Sequence, residues 1–181
     1  HKYGLYLFLD GARLGYGLAA PDNDLTLPDI AALCDVFYIG GTKVGALFGE
    51  AVVIKNPELA QDFRYLIKQN GGMLAKGRLL GLQFDALFTD GLYQEISAHA
   101  IAMAEKLREA FTAKGYNYLA PNRTNQIFVI VPDAHLAKIS EQFEYSYDQR
   151  IDATHSCVRF CTGWATKEEN VDALIRCVEK L

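Results

Sequence analysis

Three short constellations carry residue types that could do chemistry. Asp10-Gly11-Ala12-Arg13 comes directly after the apolar run Tyr6-Leu7-Phe8-Leu9, so it stands where a strand opens into a loop. Ligands of open α/β sheets gather at that edge; a carboxylate there can meet a ligand or simply cap the loop. Gly40-Gly41-Thr42-Lys43-Val44-Gly45-Ala46 lacks the spacing and the trailing hydroxyl of a phosphate-binding P-loop, so it gives no ground for nucleotide binding. It leaves a lysine held among small residues between two apolar strands. Such surroundings desolvate an amine and make it nucleophilic toward carbonyls; the alternative is a solvated loop lysine. Arg159 lies within the apolar segment Cys157-Val158-Arg159-Phe160-Cys161. A buried guanidinium requires a paired anion, either a protein carboxylate or a substrate's.

These residues need elements to hold them. The run at 6–9 reads as a buried, parallel strand, and Gly11, Gly15, Gly17 and Pro21-Asp22-Asn23-Asp24 mark the next segment as loop. Residues 28–33 predict a short helix starting after Thr26 or Leu27, with Pro28 in its first turn. Val36-Phe37-Tyr38-Ile39 and Ala51-Val52-Val53-Ile54 complete a strand, helix, strand, loop, strand order, which is α/β grammar. From Pro57 the period is helical, with Leu59, Phe63, Leu66 and Ile67 on one face and Asn70-Gly71-Gly72 as the stop.

Residues 73–88 are apolar nearly all round, which predicts a buried central helix. Ile96, Ala100, Met103, Leu107 and Phe111 define a long amphipathic helix ending near Gly115. Beyond it come a strand at 127–131, a helix at 134–143, a strand at 157–161 and a last helix from Thr166 or Lys167 to Leu181. That helix is expected to be capped and to carry Glu168 and Glu169 in its first turn. There is no internal repeat, and the domain boundary is drawn at the long helix, giving 1–110 and 111–181.

Composition bounds the partners. The 181 residues are 50% apolar and 22% charged, so there is material for a core and no low-complexity tract. No apolar run reaches the ~20 residues of a spanning helix. A net charge of −4 without a basic stripe argues against nucleic acid or an anionic membrane and leaves small molecules. The four cysteines, at 34, 157, 161 and 177, show no CxxC spacing, so no metal site is expected and reduced, buried thiols of a cytoplasmic protein are. The start, His1-Lys2-Tyr3-Gly4-Leu5, has neither an initiator Met nor a signal segment and reads as cut.

Together, Asp10-Gly11-Ala12-Arg13, Gly41-Thr42-Lys43, Gly45 and Glu50-Ala51-Val52-Val53 resemble the threonine aldolases of the β-eliminating lyase group. These are pyridoxal-phosphate (PLP) enzymes of fold type I. The resemblance continues through Lys68-Gln69-Asn70-Gly71-Gly72-Met73 and Arg123-Thr124-Asn125-Gln126 to Val158-Arg159-Phe160-Cys161-Thr162, and covers essentially the whole chain. It implies the C-terminal strands of a large cofactor-binding domain, then a small α+β C-terminal domain.

By that resemblance Lys43 forms a Schiff base with the aldehyde of pyridoxal 5'-phosphate and Asp10 faces the pyridine nitrogen. Arg13 and Arg159 hold the substrate's α-carboxylate, Arg13 also lying in the cofactor site. The implied lyase reaction splits threonine or allo-threonine into glycine and an aldehyde. β-Elimination, racemisation and transamination share the same Cα carbanion, and a non-catalytic fragment is the remaining alternative. The resemblance further implies a homodimer or homotetramer, and an N-terminal half that supplies the phosphate loop and a stacking histidine. No histidine stands out as the general base: His1 is terminal, His99 and His135 lie on helix-like segments, and His155 reads as a loop residue near the Arg159 strand.

Overall fold

The computed structural model describes residues 2–181. They divide into two compact units, residues up to 18 with 23–96, and residues 19–22 with 97–181. The break between these two compact units lies inside the long helix, at 96/97.

The first unit opens with β1 (Phe8–Leu9), α1 (Leu14–Leu18), α2 (Leu27–Leu33), β2 (Val36–Gly40) and β3 (Glu50–Ile54). The sheet order is β1-β2-β3, with β1 parallel and β3 antiparallel to β2. β1 is shorter than its apolar run. Leu7 is tied instead to Asp35, whose carboxylate accepts from the Leu7 N–H at 2.8 Å and whose own N–H donates to the Leu7 carbonyl at 3.0 Å. The helix α1 stands where glycines predicted a loop; Tyr16 is buried in it and anchors it. Thr26 and Asp29 form a reciprocal capping box at the start of α2. That helix buries Ile30 against Cys34 and Phe37, with Leu9, Ile39 and Val53 packed around them.

The helical stretch after Pro57 is two helices, α3 (Pro57–Ala60) and α4 (Phe63–Gln69), because Asp62 takes a left-handed conformation at φ 56° between them. Aspartate tolerates that region better than most residues, and the Asp62 carbonyl accepts from Tyr65 and Leu66 to start α4. The buried central helix is not found. Residues 73–77 lie outside helix, and α5 (Arg78–Phe88) buries only Leu87 while Leu79 is 49% and Leu82 58% exposed. No described element covers that side.

Next comes α6 (Leu92–Ala113), stopped by Gly115 at φ 82°, with Tyr116 N–H donating to the Phe111 carbonyl at 3.0 Å. The second unit continues with β4 (Asn117–Tyr118), β5 (Gln126–Pro132), α7 (Asp133–Ile139), β6 (Ser146–Arg150), β7 (His155–Cys161) and α8 (Glu168–Glu179). Its sheet runs β4-β5-β7-β6, antiparallel throughout. Ile127, Val129 and Val131 alternate inward along β5 and meet Leu107 and Phe111 of α6, Leu136 of α7 and Leu174 and Val178 of α8. Helices cover one sheet face, an α+β arrangement.

Thr166 does not cap α8. It accepts from the Gly163 N–H at 2.8 Å, and Lys167 occupies the cap position without a capping hydrogen bond from its side chain. All four cysteines are free thiols, but only Cys34 and Cys157 are buried; Cys161 is exposed. Among the described residues no helix is long and apolar enough to cross a membrane, and no group of His, Cys, Asp or Glu could hold a metal ion.

Candidate functional site

Asp10 sits immediately past β1, and Lys43 sits in the turn after β2, so both stand at the C-terminal ends of parallel strands. The two loops are locked together. Gly40 N–H donates to the Gly11 carbonyl at 2.9 Å, and a Cβ at Gly11 would fall 1.6 Å from the Tyr38 carbonyl oxygen. Only glycine permits that approach. Asp10 is exposed, and its Oδ1 accepts from the Tyr38 hydroxyl and from the Ala12 N–H at 3.1 Å. Tyr38 first, then Ala12, hold the Asp10 carboxyl below the usual carboxylate range, and the Lys43 and Arg13 charges add to this. The same bond pushes the Tyr38 hydroxyl up.

Lys43 is exposed, which corrects the expectation of a desolvated amine: its side chain leaves the loop rather than entering it. Its backbone is pinned. The Lys43 carbonyl accepts from Tyr16, Val44 and Ala46 N–H both donate to the Gly41 carbonyl at 2.9 Å, and Gly41 N–H donates to Glu50 Oε2 at 2.6 Å. Tyr93 donates to the Gly40 carbonyl at 3.0 Å and accepts from Gly15 N–H at 3.1 Å; burial pushes its hydroxyl up to about 12. Arg13, half-buried, lies one residue before α1.

Asp10, Arg13 and Lys43 thus belong to the first unit, and Arg159 belongs to the second. Arg159 is half-buried rather than buried, and no described carboxylate lies within ion-pair distance of it. Its partners are neutral. Nη1 donates to Gln126 Oε1 at 3.1 Å, Nη2 reaches Ser146 Oγ at 3.5 Å, and the guanidinium stands 6.0 Å from the Phe128 ring centre. Its Nε is buried without a partner. His155, at the other end of β7, lies 3.1 Å from Asp152 in a turn, and His1 lies outside the described residues.

Sequence reasoning missed Tyr38, Tyr16, Tyr93, Glu50, Gln126 and Ser146 as supports of these groups. Tyrosines in apolar runs and a glutamine just before a strand were visible, but their partners depend on register.

No family model matches the chain. It is 31% identical to a low-specificity L-threonine aldolase of a Pseudomonas species and 29% identical to one of Pseudomonas aeruginosa, over 96% and 97% of its own length. The chain spans about half the length of these curated relatives, 49% and 50%. A solved Leishmania major threonine aldolase matches with TM-score 0.96 and 42% identity, over 99% of this chain and 52% of that one. Sphingomonas wittichii serine palmitoyltransferase (TM-score 0.67, 16% identity, 47% of its chain) and Catharanthus roseus tryptophan decarboxylase (0.71, 14%, 43%) share the fold, each over 99% of this chain. In sequence and in fold the chain is similar to about half of a threonine aldolase, and its fold is the fold type I scaffold.

Proposed function

We propose that the complete enzyme uses PLP to cleave a β-hydroxy-α-amino acid, such as threonine or allo-threonine, to glycine and an aldehyde. The observation that carries this is the locked pair of loops presenting Asp10 and Lys43 at adjacent parallel strand ends, in a chain 42% identical to the Leishmania enzyme. The donor set fits the cofactor. A carboxylate kept ionised by two hydrogen bonds suits a protonated pyridine nitrogen, and an exposed amine on a pinned backbone is open to an aldehyde. When bound, the cofactor supplies an electron sink for negative charge at Cα.

The chain's own residues bind and orient. With the cofactor bound, Asp10 would hold the ring nitrogen in its protonated form and Lys43 would hold the aldehyde end. Arg13 and Arg159 take the α-carboxylate in forked, charge-assisted contacts, and fixing it decides which Cα bond is aligned to break. Here that bond is Cα–Cβ. Its electron pair stays on Cα, which is protonated to give glycine, while the β-hydroxyl loses its proton and Cβ leaves as the aldehyde carbon.

The proposal extends to the assembly. An N-terminal half supplies the rest of the cofactor site, residues 1–110 complete the large domain and 111–181 form the small one, and the enzyme is a cytoplasmic homodimer or dimer of dimers. The four free thiols suit that compartment. Incubating the full-length holoenzyme with threonine and with allo-threonine should release glycine, and borohydride reduction should place the pyridoxyl label on Lys43. Lys43→Ala should abolish both. Absence of glycine from both substrates sinks the aldolase reading, and absence of label on Lys43 sinks the catalytic one.

A further inference from the structure

Building on Arg159 as the carboxylate-binding residue, we infer that Gln126 is its positioning residue, and that Gln126 serves there because its acceptor is uncharged. Phe128 of β5 and Ser146 of β6 lie directly opposite Arg159 in the sheet, and Gln126 is two residues from Phe128, on the same face. Of the two side-chain bonds to Arg159, only that to Gln126 Oε1, at 3.1 Å, lies well within hydrogen-bond range; Ser146 Oγ stands at the 3.5 Å limit.

A half-buried arginine ordinarily recruits a carboxylate, as Arg108 does with Glu105 in the same unit. Arg159 has an amide oxygen, a hydroxyl and a ring instead, and its Nε is buried with no acceptor at all. The charge is held in place without being neutralised. It is therefore left for an anion that arrives from outside. A carboxylate at position 126 would keep the hydrogen bond and the geometry but pair with Arg159 and compete with the substrate's carboxylate. A side chain without an acceptor would leave the charge free and the fork loose.

The experiment measures glycine dissociation by equilibrium dialysis, together with kcat and KM for threonine, on the full-length holoenzyme. Gln126→Glu should weaken glycine binding and raise KM about tenfold or more, the scale of one hydrogen bond to a charged group, with kcat changing less than KM. Gln126→Met should give a smaller loss, about threefold. Glycine binding by Gln126→Glu within about twofold of the parent overturns the inference. If Gln126→Glu does not fold, parent-like binding by Gln126→Met does so instead. Arg159→Ala separates the two levels: weakened binding there with an unaffected Gln126→Glu overturns the Gln126 inference alone, whereas parent-like binding by Arg159→Ala overturns the role of Arg159 and with it this one.

Discussion

Both hydrogen bonds to Asp10 land on Oδ1, one from the Tyr38 hydroxyl and one from the Ala12 backbone. One oxygen fixes the carboxylate's direction and the other keeps its capacity to accept. Tyr38 is the larger cause of the lowered carboxyl, so Tyr38→Phe should move the Asp10 titration upward, toward the ordinary value near ~3.9. Carbon-detected NMR of the side-chain carboxyl reads this directly, and an unmoved titration would show that Tyr38 does not tune Asp10. The linkage has a definite sign. A depressed carboxyl stabilises the fold above its unfolded value, and that contribution fades as pH falls through the folded one, so Tyr38→Phe should narrow this acid-side loss. The bond itself is a product of register: Leu9 pairs with Phe37, which sets Asp10 beside Tyr38.

At the scale of elements, the same register brings backbone against backbone where β1 and β2 end. A Cβ at Gly11 would sit 1.6 Å from the Tyr38 carbonyl, a clash no rotamer relieves, so Gly11→Ala should cost about 3 kcal/mol or more in urea unfolding. Gly17, inside α1 with open space around it, is the counterpart: Gly17→Ala should raise stability by about 0.5–1 kcal/mol. Parent-like stability of Gly11→Ala would mean that the loops are not locked. Elements with local punctuation were legible from sequence, as Thr26 and Pro28 at α2, Gly115 after α6 and the apolar run of β5 show. The strand β6 was not, because Ser146–Arg150 is exposed at every position and exists only through pairing with β7. Lys43 and Arg159 were legible as special, but their solvation was not, since glycine spacing and apolar neighbours do not say which way a long side chain leaves the backbone.

Across the whole chain, apolar surface is distributed unevenly. Among the described residues, every exposed large hydrophobic except Leu119, Tyr147, Ile151 and Trp164 belongs to the first unit, whereas the second has a continuous core from Met103 to Val178. The apolar pattern of residues 73–88 asks for burial, yet in the structure Leu79, Leu82 and Phe88 of α5 stand in the open. Pattern and exposure agree if the pattern encodes contacts that this stretch of chain does not itself provide, as the proposed N-terminal half and second subunit would. Leu82→Glu separates the possibilities. In the 181-residue chain alone the substitution falls on a mostly exposed side chain, so its thermal unfolding should shift by no more than a surface change does, about 0.5 kcal/mol. In the full-length enzyme the same carboxylate would be placed against apolar surface without a partner, and sedimentation should show loss of the oligomer or of soluble protein. If the full-length variant assembles as the parent does, α5 faces solvent there too, and its apolar face needs another explanation than cover by the rest of the enzyme.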